Sequence, residues 1–405
     1  MSPEPYWDFP AYYRLVPAEY LRERGRRLGA LCRRQGLEGI LFTYGCDVYY
    51  ACGTMQQGAA LVTSRGATTA FIRRHPGRAA AESPMEVVPV SGFSQVARHL
   101  QERLPAGARL GLCLDVMSAA QYLGWQKRLP GWELVDVSQE VAEIKGVKDA
   151  FEQDCLRQAG ALAAECYALL PRFLQEGRSE CWVVGRMLSE LMARGHIEMI
   201  RTRGAYMETY SWHLVSGPEG TRPSAIDAAY GGYGLAPAFP QGPGLKPLRR
   251  GEPIVADIAA CRHGYHTDQT RTYCLGSAPE AVRRAHHCLE EVEKAILAAL
   301  RPGAVSGEIF QLAVDTARRL GFGDCFLGRP EQRINFVGHG LGLELGTPPY
   351  LLKGSPKKVQ AGQAYALELK IVLDQGPVGL ENTYLVTPQG PPELLSTIPN
   401  QLFEL

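Results

Sequence analysis

The sequence has no CxxC pair, and its eleven cysteines are scattered and odd in number, which suits reduced thiols and not a secreted disulfide framework. Cys46 and Cys52 are the nearest thing to a pair, but their segment lacks partner histidines, so buried free thiols are expected throughout. No stretch approaches the roughly 18 apolar residues of a membrane-spanning helix. The opening MSPEPYWDFPAYYRL has no basic segment followed by an apolar run. Net charge is also nearly missing: 43 basic against 42 acidic residues leave +1, no field for nucleic acid or an anionic membrane. No fixed-period repeat marks a solenoid. These absences lead us to expect a cytoplasmic protein without nucleic-acid or membrane partners.

At 405 residues, with 45% apolar and 21% charged side chains, the chain suits two globular domains, each with its own core. AEYLRERGRRLGALCRRQ, residues 18–35, puts leucines on one side and arginines on the other and stops at Gly36, predicting an amphipathic helix. GILFTYGCDVYYACG reads as a buried strand and a loop, then AALVTS and TTAFI as a strand hairpin. MEVVPVSG, LGLCLD and WELVDVS continue as strands alternating with helical segments such as FSQVARHLQERL. Residues 1–142 are therefore expected to form a compact α/β domain. From IKGVKDAFEQD onward the texture turns to long helices, which puts the boundary between Val137 and Lys148. Residues 143–405 read as an α+β domain: two helices, strands, two more helices (281–300 and 306–320), and strands again. Residues 225–250, rich in Gly, Pro and aromatics, read as a long loop of the kind that is commonly functional.

Spacing carries the chemistry. Opposed residues in an antiparallel hairpin have numbers of constant sum. A turn centred between Arg262 and His263 opposes Asp257 to Asp268 in IVADIAACRHGYHTDQTRTYCL. A turn centred between Asp374 and Gln375 likewise opposes Glu368 to Glu381 in YALELKIVLDQGPVGLENTYLVT. Opposed Cβ atoms lie about 4.5–5.5 Å apart, where like charges are destabilising. One such pair alone reads as solvated or salt-bridged acids. Two pairs, with His339 presented between glycines in FVGHGLGL, call for one or two divalent cations bridging both hairpins. A single imidazole among carboxylates suits Mn, Fe, Co or Zn better than Mg or Ca.

These segments resemble the pita-bread metallopeptidase family, which includes Xaa-Pro aminopeptidases, prolidases and methionine aminopeptidases, with creatinase as a non-peptidase cousin. DIAACRHGYHTDQTRT and GHGLGLEL carry the likeness in the catalytic half, and IKGVKDAFEQDCLRQAG resembles the helix that opens it. RRLGALCRRQGLEGILFTYGCDVYYACG resembles the amino-terminal domain of the creatinase and aminopeptidase branch, so nearly the whole chain is covered. The resemblance implies a creatinase-type α/β N-terminal domain, a pita-bread α+β catalytic domain and a homodimer. It implies two divalent ions, of Mn, Co, Fe or Zn, about 3.5–4 Å apart, held by Asp257, Asp268, His339, Glu368 and Glu381. The implied activity is hydrolysis of a C–N bond in a small peptide or small-molecule amide by metal-activated water, with Glu368 also moving the proton.

The departures from the family pattern are equally specific. Gly346 and Thr347 stand where a His-Glu is usual, Ser224 stands at the place of a second histidine after the SGP turn, and Gly379 replaces an arginine common in prolidases. Losing such an oxyanion donor typically costs about 100- to 1000-fold in rate. His213, on the strand leading to that turn, is the candidate catalytic replacement, while Ser224, Tyr230, Tyr233 and Thr347 are candidate substrate contacts. The altered pattern keeps open a lyase or amidohydrolase of small molecules on the same fold, or a binding homologue that has lost catalysis.

Overall fold

The computed structural model describes residues 7–204 and 212–405. It divides into two compact units at Lys145 and Gly146, with Arg203 belonging to the first.

The first unit is built on six strands, β1 (Gly39–Phe42), β2 (Gly58–Thr63), β3 (Thr68–Ile72), β4 (Glu86–Pro89), β5 (Arg109–Leu112) and β6 (Glu133–Asp136), in the order β4-β3-β2-β1-β5-β6. β2 and β3 form the expected antiparallel hairpin. The helix Ala18–Gln35 ends where Gly36 takes φ 64°, a left-handed conformation that glycine adopts without a Cβ penalty. One expectation needs correcting: GCDVYYAC, read as a loop, is the helix Gly45–Cys52. Eight residues are too few for a helical period to stand out, and Val48, Tyr49 and Tyr50 locally favour strand.

That helix buries Asp47, which is 1% exposed, against Lys145 Nζ at 2.6 Å and Arg203 Nη2 at 3.0 Å. Burial opposes its charge, but the two cations outweigh burial and hold the carboxyl below the usual range. A folded-state value depressed in this way gives stability that is fully present above the unfolded value, about pH 4, and lost as the pH falls further. Asp47→Asn is expected to cost about 3 kcal/mol in denaturant unfolding, as for a buried pair that loses one partner. A loss below about 1 kcal/mol, the size seen for surface pairs, would show that this cluster is not a stabilising element.

The second unit carries a sheet of β7 (Trp212–Ser216), β8 (Pro253–Arg262), β9 (Tyr265–Cys274), β10 (Phe336–Leu341), β11 (Leu345–Leu352), β12 (Ala364–Leu373) and β13 (Gly376–Leu385), in the order β11-β10-β12-β13-β9-β8-β7. Two short strands, β14 (Glu393–Leu394) and β15 (Phe403–Glu404), pair with β13 and β9. The helices Ala150–Leu169 and Glu180–Met192 share a core with β8, and the helices Glu280–Ala299 and Ser306–Arg319 share one with β12 and β13. Asp149 and Glu152 form a reciprocal capping box at the start of the first of these helices.

Strand alternation then decides where the polar residues go. Leu367, Leu369 and Ile371 of β12, Val378 and Leu380 of β13, and Ala256 and Ile258 of β8 all enter the helix-side cores. Glu368 and Lys370, Gly379 and Glu381, and Asp257 are left on the other face. Residues 225–250 contain no helix or strand. All eleven cysteines are unpaired; Cys181 and Cys325 are half-buried, where full burial was expected. Among the described residues no helix is long and apolar enough to cross a membrane.

Candidate metal centre

The hairpin β12–β13 opposes Glu368 to Glu381, as the constant sum requires. The hairpin β8–β9 does not oppose Asp257 to Asp268; it pairs Asp257 with Thr270 and Ala259 with Asp268. The turn lies one residue later than expected, on His263 and Gly264 at φ 53° and 81°, the positive pair that a tight hairpin turn uses. Moving the turn centre by one residue moves every partner by two. Side chains alternate with a period of two, so both aspartates stay on the same face and meet diagonally. β9 and β13 are neighbours through Thr270 and Glu381, which brings the two hairpins together, and β10 places His339 beside Ala366 of β12.

The result is a cup around the His339 imidazole. Its Nε2 lies 3.6 Å from Glu368 Oε2, 3.7 Å from Glu381 Oε1 and 3.9 Å from Asp268 Oδ2. These separations are long for hydrogen bonds but match donors spaced around a shared ion about 2.0–2.2 Å from each. Glu381 Oε1 is buried and has no hydrogen-bond partner among the described residues. Asp268, His339 and Glu381 offer donor atoms within 4.8 Å of one another. A buried acceptor left open, facing an imidazole and two more carboxylates, fits one divalent cation.

A second group of donors, Asp257, Glu368 and Glu381, also lies within 4.8 Å, but an ammonium stands in it. Lys370 Nζ is 3.0 Å from Asp257 Oδ2, 3.2 Å from Glu368 Oε1 and 2.8 Å from Glu381 Oε2, and it donates to Thr270 Oγ1. Lys370 is 1% exposed. Sequence reasoning missed this residue, although the sum that opposes Glu368 to Glu381 also opposes Lys370 to Gly379.

Protonation follows from these contacts. Burial, then the neighbouring Glu381 and Asp257, push Asp268 well above the usual carboxylate range. Burial and Glu368 likewise raise Glu381, to about 8, against the pull of Lys370. Glu368 goes the other way: burial opposes its charge, but Lys370 and His339 hold it well below the usual range. Burial disfavours charge on Lys370 too, yet Asp257, Glu368 and Glu381 keep it an ammonium. Burial also works against a charged His339, and its contacts with Glu368 and Glu381 prevail to raise it.

Asp257, Asp268, His339 and Glu368 open onto a cavity of about 420 Å³ that is also lined by His213, Asp227, Phe336, Leu345, Gly346 and Tyr350. His213 pairs across the strands with Asp257, and its Nε2 lies 2.9 Å from Gly231 O. A carbonyl only accepts, so the proton sits on Nε2 and Nδ1 is left as an acceptor. Burial lowers its affinity for a second proton. Tyr230 is buried with its ring 5.6 Å from that of His213 and 6.0 Å from Lys370 Nζ. The remaining substrate candidates are elsewhere: Ser224 donates to Pro240 O, Tyr233 is 62% exposed on another cleft, and Thr347 is not among the residues lining this cavity. His266 is fully buried against Gly342 O, outside the cavity lining.

Comparison with known proteins adds a lineage to this geometry. Residues 154–388 match the model of metallopeptidase family M24, and residues 24–147 match that of the creatinase/prolidase N-terminal domain. Over 403 aligned residues the chain is 27% identical to a probable dipeptidase, PepE, of Mycobacterium tuberculosis, covering 93% of this chain and 95% of that protein. It is 22% identical to the Xaa-Pro dipeptidase of Pyrococcus furiosus, over 93% of this chain and 99% of the relative. The solved structure of an Xaa-Pro dipeptidase from Bacillus anthracis shares the fold with a TM-score of 0.80 at 22% identity, over 95% of this chain and 100% of that one.

Proposed function

The chain belongs to metallopeptidase family M24 and is a metal-dependent hydrolase of the aminopeptidase and dipeptidase type; from that premise we propose that it cleaves the C–N bond of a dipeptide-sized substrate held in the cavity over His339. The observation that carries this reading is the cup of Asp268, His339, Glu368 and Glu381 open to about 420 Å³ of space. That volume suits a small ligand, and the names of relatives such as PepE point the same way. One imidazole among carboxylates favours Mn, Co, Fe or Zn as the ion. The homodimer is proposed on the family resemblance alone, and the cytoplasmic location on the scattered, unpaired cysteines.

A bound divalent ion supplies polarisation of the scissile carbonyl and activation of water. The chain's own residues then handle orientation and protons. Glu368 has one oxygen, Oε1, fixed by Lys370, while Oε2 belongs to the cup; this holds the carboxylate where it can take a proton from water and pass it to the leaving nitrogen. His213 Nδ1 can accept a hydrogen bond from a substrate amine, with the ring locked by Gly231 O. Ile226, Phe336, Leu345 and Leu352 form the apolar wall.

At the two positions where the family usually carries histidine, the described residues bring no free donor: Gly346 has no side chain, and the Ser224 hydroxyl is spent on Pro240 O. That deficit favours a second reading, an amide more reactive than a peptide bond as the natural substrate. The test is mass-spectrometric product detection on Xaa-Pro and other dipeptides with Mn(II), Co(II), Fe(II) or Zn(II), and with a chelator. Dipeptide cleavage that depends on added metal supports the first reading; absence of cleavage by protein shown to carry metal contradicts it and transfers the weight to small amides.

A further inference from the structure

We propose that this enzyme takes a single divalent ion, in the cup of Asp268, His339, Glu368 and Glu381, and that the Lys370 ammonium permanently fills the position where the resemblance implies a second. The inference rests on the metal-dependent reading above and concerns how many ions the site admits.

Occupancy is the first ground. Lys370 Nζ contacts Asp257, Glu368 and Glu381 at 2.8–3.2 Å, and these three residues form the second donor group. An ion there would need the same oxygens and would sit against a buried cation. The second ground is that the surroundings are fitted to the lysine. Lys370 and Gly379 face each other across β12 and β13. A Cβ on Gly379 would lie 2.6 Å from Thr270 Cγ2 and 3.1 Å from Lys370 Cδ. Only the bare glycine lets the lysine stem cross the strand and reach the carboxylates. The arginine expected at 379 and a lysine at 370 exclude one another, so the two departures form one exchange.

Charge gives a third ground. Four carboxylates, one ammonium and one divalent ion leave a net charge of about −1 by formal count, whereas two divalent ions beside Lys370 would leave the buried cluster positive. The ammonium has three N–H donors, and four oxygens surround it: those of Asp257, Glu368, Glu381 and Thr270. It is not among the residues lining the cavity. Lys370 is therefore a positioning residue that fixes Glu368 and Asp257, and it does not act as a nucleophile or base.

The test is metal content per chain, by native mass spectrometry and by the Mn(II) resonance spectrum, for the wild type and for Lys370→Gly and Lys370→Ala purified in Mn(II). The wild type is expected to hold one ion with the six-line signal of an isolated Mn(II). The variants, whose lost charge a second ion replaces, are expected to hold two with a spin-coupled signal. Two ions in the wild type would overturn the proposal while leaving the hydrolase reading intact, as would variants that stay at one ion. A wild type that binds none would contradict both. The wild-type count stands by itself if the variants do not fold.

Discussion

Lys370→Met is expected to destabilise the metal-free protein by about 3–5 kcal/mol, the cost of stripping one partner from a buried ion cluster. The side chain is nearly isosteric, so packing changes little. What disappears is the positive charge within 3.2 Å of Asp257, Glu368 and Glu381. Burial already drives Asp268 and Glu381 towards their protonated forms, helped by Glu381 and Asp257 at Asp268 and by Glu368 at Glu381, and the loss of Lys370 removes the ammonium that opposes this. Denaturant unfolding of chelator-treated protein measures the effect. A loss under about 1 kcal/mol, typical of an exposed pair, would mean that the ammonium does not balance these acids.

Glu368→Ala is expected to lower kcat/KM by about 100- to 10 000-fold, the range for removal of a positioned acid–base group. Glu368 is the one carboxylate that joins all three parts of the site: Oε2 faces His339, Oε1 faces Lys370, and the residue lines the cavity. Lys370 and His339 also hold its carboxyl well below the usual range against burial. Steady-state kinetics with saturating metal, on a variant whose circular dichroism matches the wild type, decides the point. Activity within about tenfold of wild type would remove Glu368 from the proton-handling role.

Much of this site could be read from the sequence because hairpin register is arithmetic. The sum that opposes Glu368 to Glu381 held to the residue. The sum for Asp257 and Asp268 failed because the turn falls on His263 and Gly264, and a non-glycine residue at positive φ gives little local warning of its place. The error was harmless for the face and wrong for the partner, as a two-residue shift must be. Lys370 was equally legible: it lies two residues from Glu368, hence on the same face, and opposite Gly379. Gly379 viewed only as a lost arginine hides this; viewed as space for the residue facing it, it points to Lys370.

Other parts were not legible. Nothing local in GCDVYYAC distinguishes a short helix from a loop. The fate of Ser224, Tyr233 and Thr347 depended on how the 225–250 loop and β11 pack, which is long-range information that no spacing rule carries. The cores were easier. Alternation in β8, β12 and β13 sends leucines, isoleucines and alanines to the helices and acids to the other face, so burial and chemistry separate by parity.

His339 and its three carboxylate neighbours are expected to hold a divalent ion. Anomalous diffraction from crystals soaked in Mn(II) or Zn(II) tests it most directly. One peak per chain is expected, about 2.0–2.2 Å from the His339 Nε2 position, with Lys370 still between Asp257 and Glu381. No peak at His339 would contradict the ion site, whereas a peak in place of the Lys370 ammonium would overturn only the single-ion proposal.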